Sequence, residues 1–196
     1  PYARPGVPLT KAICTEDAQS ADILILASHG IVLGADSCTA ALDLLNDLEQ
    51  RLLIPPRPAS VLDKTALEQS AELYGMTLPE DETIHAIAAD AQSLALAMGG
   101  PLYPDHCVFL GRDVPVQQNR CLTLHPDKTP LGTTSECPYL LIAGTGVLVR
   151  KGLETGAMAM LRCWSDVLAR IPPDRPIRHL SATECGDLLG WEAEDY

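Results

Sequence analysis

The chain has 196 residues, with 26 Asp or Glu against 14 Lys or Arg, and its formal net charge is −12. An acidic surface repels phosphate backbones and anionic lipids, so the composition argues against nucleic-acid and membrane-surface partners. No apolar run reaches the roughly 18 residues that a membrane-spanning helix needs. The apolar fraction of 46% with a single Phe predicts a globular core built from aliphatic side chains.

The seven cysteines are odd in number, and no two of them have Cys-x-x-Cys spacing. This pattern fits neither a disulfide framework nor a zinc ribbon. It predicts reduced thiols in a cytoplasmic protein, with Cys14 and Cys38 as packing residues. Because the chain begins at Pro1 without an initiator Met, we expect a fragment of a longer polypeptide.

In the first part of the chain, a short helix is expected over residues 9–18, after a proline-rich start. An apolar run at 22–33, interrupted by His29-Gly30, predicts a buried strand. Asp36 or Ser37 is a good N-cap for the helix that follows. The apolar face of that helix consists of Ala41, Leu44, Leu45, Leu48 and Leu52. Residues 55–58, Pro-Pro-Arg-Pro, predict a stiff linker and a domain boundary.

The second part of the chain predicts alternating helices and strands. Helices are expected at 63–73, 79–98 and 153–169, with a short one in the tail at 182–196. Strands are expected within 103–116, at 120–124 in an otherwise loop-like stretch, and within 138–149. Trp164 and Trp191 are expected to anchor a core or an interface.

An internal repeat is visible without gaps. Residues 24–52 lie over 140–168, and both stretches read as strand, glycine, strand, turn, amphipathic helix. Identical residues recur along the match, including Leu24 with Leu140 and Gly30 with Gly146. His29 in the first copy faces Thr145 in the second, and imidazole is a common metal ligand whereas Thr is a poor one. The pattern predicts a duplicated unit, against the alternative that many α/β units look alike.

The stretch from Ala27 to Gly34, followed by a helix with Ala41 and Glu49, resembles the C-terminal signature of class II aldolases. These enzymes cleave sugar phosphates with a divalent metal, usually zinc. The resemblance implies that His29 is one metal ligand. The family's other two histidine ligands belong to a His-x-His motif, and neither that motif nor its accompanying catalytic Glu has a counterpart here. Without the resemblance, a lone His at a strand break is more often structural.

Residues from about 95 onward are similar to a further part of two-part aldolase-like proteins. The similarity rests on Pro104-Asp105-His106 and on Leu141-Ile142-Ala143-Gly144-Thr145-Gly146. It implies that His106 lies near a metal position in a copy that has become degenerate at Thr145. The alternative is a turn histidine beside a cap.

The resemblance implies an α/β fold with a mixed or antiparallel central sheet flanked by helices. Residues 1–55 would end one aldolase-like domain, and residues 60–196 would form a degenerate second one. The leading hypothesis is a fragment of a metal-dependent lyase acting on a sugar phosphate or related hydroxy-carbonyl compound, in a homo-oligomer. The alternative is an inactive pseudo-enzyme or oligomerisation module, as adducin's head domain illustrates.

Three further motifs have plainer interpretations. Gly144-Thr145-Gly146 lacks the remaining residues of phosphate-loop fingerprints, so it predicts a backbone turn. His85 and His179 are expected to be solvated, and His125 to lie in a turn.

Overall fold

A computed structural model describes residues 3, 6–15, 18, 20–58, 61–117 and 137–190. The chain divides into two compact units at Pro55–Pro56, inside the predicted linker. Unit 1 comprises the described residues up to Pro55 together with 186–190, and unit 2 runs from Pro56 to Cys185. The predicted strand at 120–124, His125 and Trp191 lie outside the described residues.

In the described residues up to Pro55, unit 1 contains two helices and a hairpin. Its elements are α1 (Val7–Thr15), β1 (Ile23–Leu26), β2 (Gly30–Leu33) and α2 (Cys38–Leu52). The strands pair antiparallel, so the interrupted apolar run forms a hairpin rather than one strand. Ser37 caps α2 as predicted, because its hydroxyl accepts from the Ala40 N–H at 3.1 Å. Among the described residues from 3 to 55, only Leu48 is buried.

Unit 2 surrounds a small mixed sheet with helices. Its elements are α3 (Lys64–Tyr74), a 3₁₀ turn (Glu82–His85), α4 (Ala86–Ala89), α5 (Ala91–Ala97), α6 (Pro104–Leu110), β3 (Val116–Gln117), β4 (Tyr139–Ile142), β5 (Gly146–Val149) and α7 (Thr155–Arg170). Strand β4 pairs in parallel with β3 and antiparallel with β5. A last helix, α8 (Ala182–Leu189), contains the boundary between the two units.

The core of unit 2 has a layer on each face of the β4–β5 hairpin. On one face, Leu67 and Ala71 of α3 pack against Leu140, Ile142 and Leu148. The other face packs against α7 and against residues 82–110, which we call the short-helix layer. The buried residues of this second cluster are Ile84, Ile87, Ala88, Ala97, Leu110, Tyr139, Leu141, Val147, Val149, Ala157, Leu161, Trp164 and Leu168. Both strands are buried throughout, which explains their continuous apolar sequence.

The repeat is present in the backbone. Ile23 pairs with Leu33 in β1–β2, and Tyr139 pairs with Val149 in β4–β5, each partner 116 positions after its counterpart. The remaining three pairs of each hairpin keep this offset, and α2 and α7 follow their hairpins at nearly the same distance. The prediction of two similar strand–helix units is therefore confirmed.

Besides the buried strand expected at 22–33, which is a hairpin without a buried residue, two predicted elements were wrong. The helix expected at 79–98 is broken at Asp90, whose backbone is extended and whose carboxylate accepts from the Ser93 N–H at 2.9 Å to cap α5. Where a strand was expected within 103–116, helix α6 occupies Pro104–Leu110, and it begins at Pro104 because proline fits the first turn of a helix.

The coarse fold class is confirmed as α/β, with two small sheets flanked by helices in the described residues rather than one central sheet. Over the same residues, no helix is long and apolar enough to cross a membrane. The packing role predicted for Cys14 and Cys38 was wrong, since both are exposed. Trp164 lies in the core as predicted.

Candidate functional site

His29 and Thr145 occupy matching positions of the repeat and close equivalent turns. The His29 N–H donates to the Leu26 carbonyl at 3.0 Å, and the Thr145 N–H donates to the Ile142 carbonyl at 2.9 Å. The preceding residues, Ser28 and Gly144, both have left-handed backbones, with φ of 65° and 70°. The same turn therefore carries an imidazole in unit 1 and a hydroxyl in unit 2, and the Gly-Thr-Gly sequence forms a turn as predicted.

The His29 turn is open on one side. Its ring is half-buried, and Nε2 lies 2.6 Å from the carbonyl oxygen of Ala3. Since a carbonyl can only accept, Nε2 carries the proton in this contact. The ring also borders a cavity of about 600 Å³ between α1 and β1, whose lining includes Leu9, Ile13 and Leu26. A metal bound through Nε2 would have to displace the Ala3 carbonyl.

The Thr145 turn is closed. Thr145 is buried, and its hydroxyl has no hydrogen-bond partner among the described residues. The Gly144 N–H donates to the Ala88 carbonyl at 2.8 Å, and the Val147 N–H donates to Nδ1 of His85 at 3.1 Å. A Cβ at Gly146 would meet that same Nδ1 at 2.8 Å, whereas one at Gly30 in unit 1 would meet nothing within 4 Å.

His85 therefore seals the second turn, and the prediction that it is solvated was wrong. Burial lowers the pKa of His85, so the ring is held neutral with Nδ1 as an acceptor. The sequence gives no signal for this role, because the contact joins residues 62 positions apart. His179, also expected to be solvated, is half-buried, with Nε2 at 2.9 Å from the Leu96 carbonyl.

His106, the second predicted metal ligand, lies inside the core of unit 2. Its ring packs edge-on against Trp164 with centroids 4.4 Å apart, and neither ring nitrogen has a partner among the described residues. Burial, and to a smaller extent the nearby His179, lowers the pKa of His106 to about 4. Asp105 is exposed, so the two adjacent residues do not form a carboxylate–histidine pair.

A cavity of about 820 Å³ lies in unit 2 beside α7, and nothing in the sequence pointed to it. Arg57, predicted only as part of a linker, donates from Nη2 to Asp90 at 2.7 Å and to the Leu168 carbonyl. Its Nη1 donates to the Ile171 carbonyl. Burial alone would raise the pKa of Asp90, but hydrogen bonds from Arg57 and Ser93 outweigh it and hold that pKa below its usual range.

The other cations of this lining are also paired. Lys64 pairs with Glu82, Arg162 with Asp81 and Asp166, and Arg170 with Asp166. An anionic ligand would have to displace a carboxylate from each cation it used. The cavity therefore offers no unpaired cation among the described residues of its lining.

The described residues contain no group of three or more His, Cys, Asp or Glu side chains placed to hold a metal ion. His29 supplies one imidazole, and a zinc site needs three protein ligands with an open position for substrate. These residues therefore do not make a metal site by themselves, and we assign no catalytic step to a metal here.

Comparisons with protein families, with curated proteins and with solved structures found no match to this chain.

Proposed function

We propose that this chain is part of a class II aldolase-like lyase that acts on a sugar phosphate or a related hydroxy-carbonyl compound. In this proposal, unit 1 contributes His29 to a site whose remaining ligands lie outside the 196 residues. Unit 2 is a structural copy without a metal role. The metal, zinc by the family resemblance, would act as a Lewis acid when bound.

The observation that carries the proposal is the contrast between the two turns. His29 is half-buried beside a cavity, whereas Thr145 is buried under His85 and Ala88. A ligating side chain is useful only where a metal and a substrate can reach it. The copy with the imidazole is the one with the open turn, and this supports a functional unit 1 beside a structural unit 2.

A second candidate is a catalytically inactive pseudo-enzyme or an oligomerisation module. The sealed Thr145 turn favours it, because one of the two copies has lost both the ligand and the access. The two proposals differ in a single measurable respect, which is whether the natural protein needs His29 for turnover.

The test is retro-aldol cleavage across a panel of phosphorylated ketoses, with and without added zinc, on the natural polypeptide and on the 196-residue chain. We expect zinc-dependent turnover by the natural polypeptide that is lost in His29→Ala with the fold retained, and none by the 196-residue chain. A matched His179→Ala variant should keep full activity, since that histidine lies outside the proposed site. An inactive natural protein whose stability is unchanged by His29→Ala would favour the module. Zinc-dependent turnover by the 196-residue chain would show that the ligands were assigned wrongly.

A further inference from the structure

The repeat offers an internal reference for the surface of unit 1, because each apolar position of its hairpin and helix has a counterpart in unit 2. Five of these positions, which we call the open face, are large, apolar and exposed: Ile25, Ile31, Leu42, Leu45 and Leu52. Exposed fractions of 68% at Ile25 and 52% at Leu52 are high for aliphatic side chains in a folded unit.

The counterparts of the open face are buried or half-buried members of one cluster. Leu141, Val147, Leu161 and Leu168 are each 0% exposed, and Met158 packs against the same cluster. The backbone pairing and the helix are the same in both units, so the difference lies in what covers them. In unit 2 the cover is the short-helix layer, which contributes Ile84, Ile87, Ala88, Ala97 and Leu110.

The chain order of unit 2 indicates where an equivalent cover would come from. The short-helix layer at residues 82–110 precedes its hairpin, which begins at Tyr139. Moved back by the same 116 positions, this layer falls entirely before Pro1. The described residues that precede the hairpin of unit 1 include one helix, α1, which has no buried residue.

We propose that the open face docks a layer of short helices lined by aliphatic side chains, and that this layer is polypeptide on the N-terminal side of Pro1 in the natural protein. A second copy of the chain is the less suitable occupant, because its own short-helix layer already covers its β4–β5 hairpin. The proposal rests on the repeat and on the burial of its members, and it holds whether or not the protein is a lyase.

The burial of aliphatic side chains would hold the cover in place. The transfer of apolar surface out of water is favourable, and the open face offers five large aliphatic side chains. A cover of this kind should therefore suppress the local opening of α2, which is the motion that amide exchange measures.

The experiment compares amide hydrogen exchange in α2 between the natural polypeptide and the 196-residue chain, with α7 as an internal reference. We expect exchange in α2 to be slower by about tenfold or more in the natural polypeptide, and exchange in α7 to be similar in both. Leu45→Asp should restore fast exchange in α2 of the natural polypeptide. Leu53→Asp is the matched control, because Leu53 is also exposed but its counterpart Ala169 lies outside the buried cluster.

Three results would overturn the proposal. One is equal exchange of α2 in both proteins, and another is a natural polypeptide that begins at Pro1. The third is protection of α2 in the 196-residue chain that rises with protein concentration, since this would make a second copy the occupant. The unfolding of unit 1 by Leu45→Asp would be recognised by loss of exchange protection in β1 and β2 as well as α2. In that case Leu45→Ser, a milder change at the same contact, provides the test.

Discussion

Units 1 and 2 contain the same hairpin and helix, with the same strand register, yet in one copy only Leu48 of the described residues is buried whereas the other copy forms a core. Local sequence is sufficient to form the hairpin and the helix in both. Burial depends on the layers that each unit adds around them, and only unit 2 has both layers within the described residues. The motif thus specifies the hairpin and the helix, whereas the surrounding layers determine how far they are buried.

The largest expected difference concerns equivalent leucines in the two helices. Leu161→Ala should lower the free energy of unfolding by about 2–5 kcal/mol, because Leu161 is fully buried and its truncation leaves a cavity. Leu45→Ala, at the matching position of α2, should cost less than about 1 kcal/mol in the 196-residue chain. Urea unfolding of both variants measures the two values. Equal losses would mean that the helices have equivalent environments and that the contrast between the units is wrong.

The next prediction concerns pH and His106. Burial lowers the pKa of His106 from 6.5 to about 4, so between these values the unfolded chain binds a proton that the folded chain does not. The folded state should therefore lose stability as the pH falls through this window, by about 3 kcal/mol between pH 7 and pH 4. His106→Leu should remove this part of the pH dependence and leave stability at pH 7 equal or higher, because it also removes two unpartnered ring nitrogens.

Urea unfolding at several pH values on both proteins provides the measurement. His85 has a pKa lowered in the same direction and remains in the variant, so some dependence should persist. A variant with the full pH dependence of the original chain would show that His106 does not titrate in this window.

The loss of an ion pair should lower the free energy of unfolding more in unit 2 than in unit 1, as the loss of a leucine does. Arg57→Ala removes the donors to Asp90 and to two carbonyls near the end of α7, at a site where both charged side chains are about three-quarters buried, and should cost about 2 kcal/mol. Arg51→Ala breaks the exposed pair with Asp47 in unit 1 and should change stability by less than about 0.5 kcal/mol. Chemical unfolding at neutral pH compares the two, and a loss of 1 kcal/mol or more at Arg51 would contradict the assignment of unit 1 as weakly packed.

The smallest predicted effect is in the turns. Ser28 holds the left-handed conformation that Gly144 holds in unit 2, and this costs a residue with a Cβ about 1 kcal/mol or more. Ser28→Gly should therefore stabilise the first hairpin by about 0.5 kcal/mol after the added flexibility of glycine is counted. Gly144→Ser should destabilise the second by about 1 kcal/mol, since the space around a Cβ there is open and only the backbone conformation resists. Amide exchange in β1–β2 and β4–β5 reports each effect, and a destabilising Ser28→Gly or a stabilising Gly144→Ser would show that the two turns are not equivalent.

The elements of this protein that follow from local chemistry were predictable. A serine cap at Ser37 and an aspartate cap at Asp63 fix the starts of α2 and α3 through hydrogen bonds to residues three positions later. The interruptions of the apolar runs at Gly30 and Gly146 were also visible, although the first run was expected as one strand rather than a hairpin. The repeat was visible because both copies keep these local signals at a constant spacing.

The tertiary structure decided the rest, because burial depends on residues distant in the chain. The apolar face of α2 and that of α7 have the same helical spacing, and nothing in either predicts that one is exposed and the other is a core. The break at Asp90 follows from its cap and from its pairing with Arg57, 33 positions away. His85 seals a turn 62 positions later, and His106 is buried against Trp164. Local sequence thus determined the starts of α2 and α3 and the interruptions at Gly30 and Gly146, since these depend on neighbours within a few residues. Only the packing of distant segments determined which faces are covered and which titratable groups lose water.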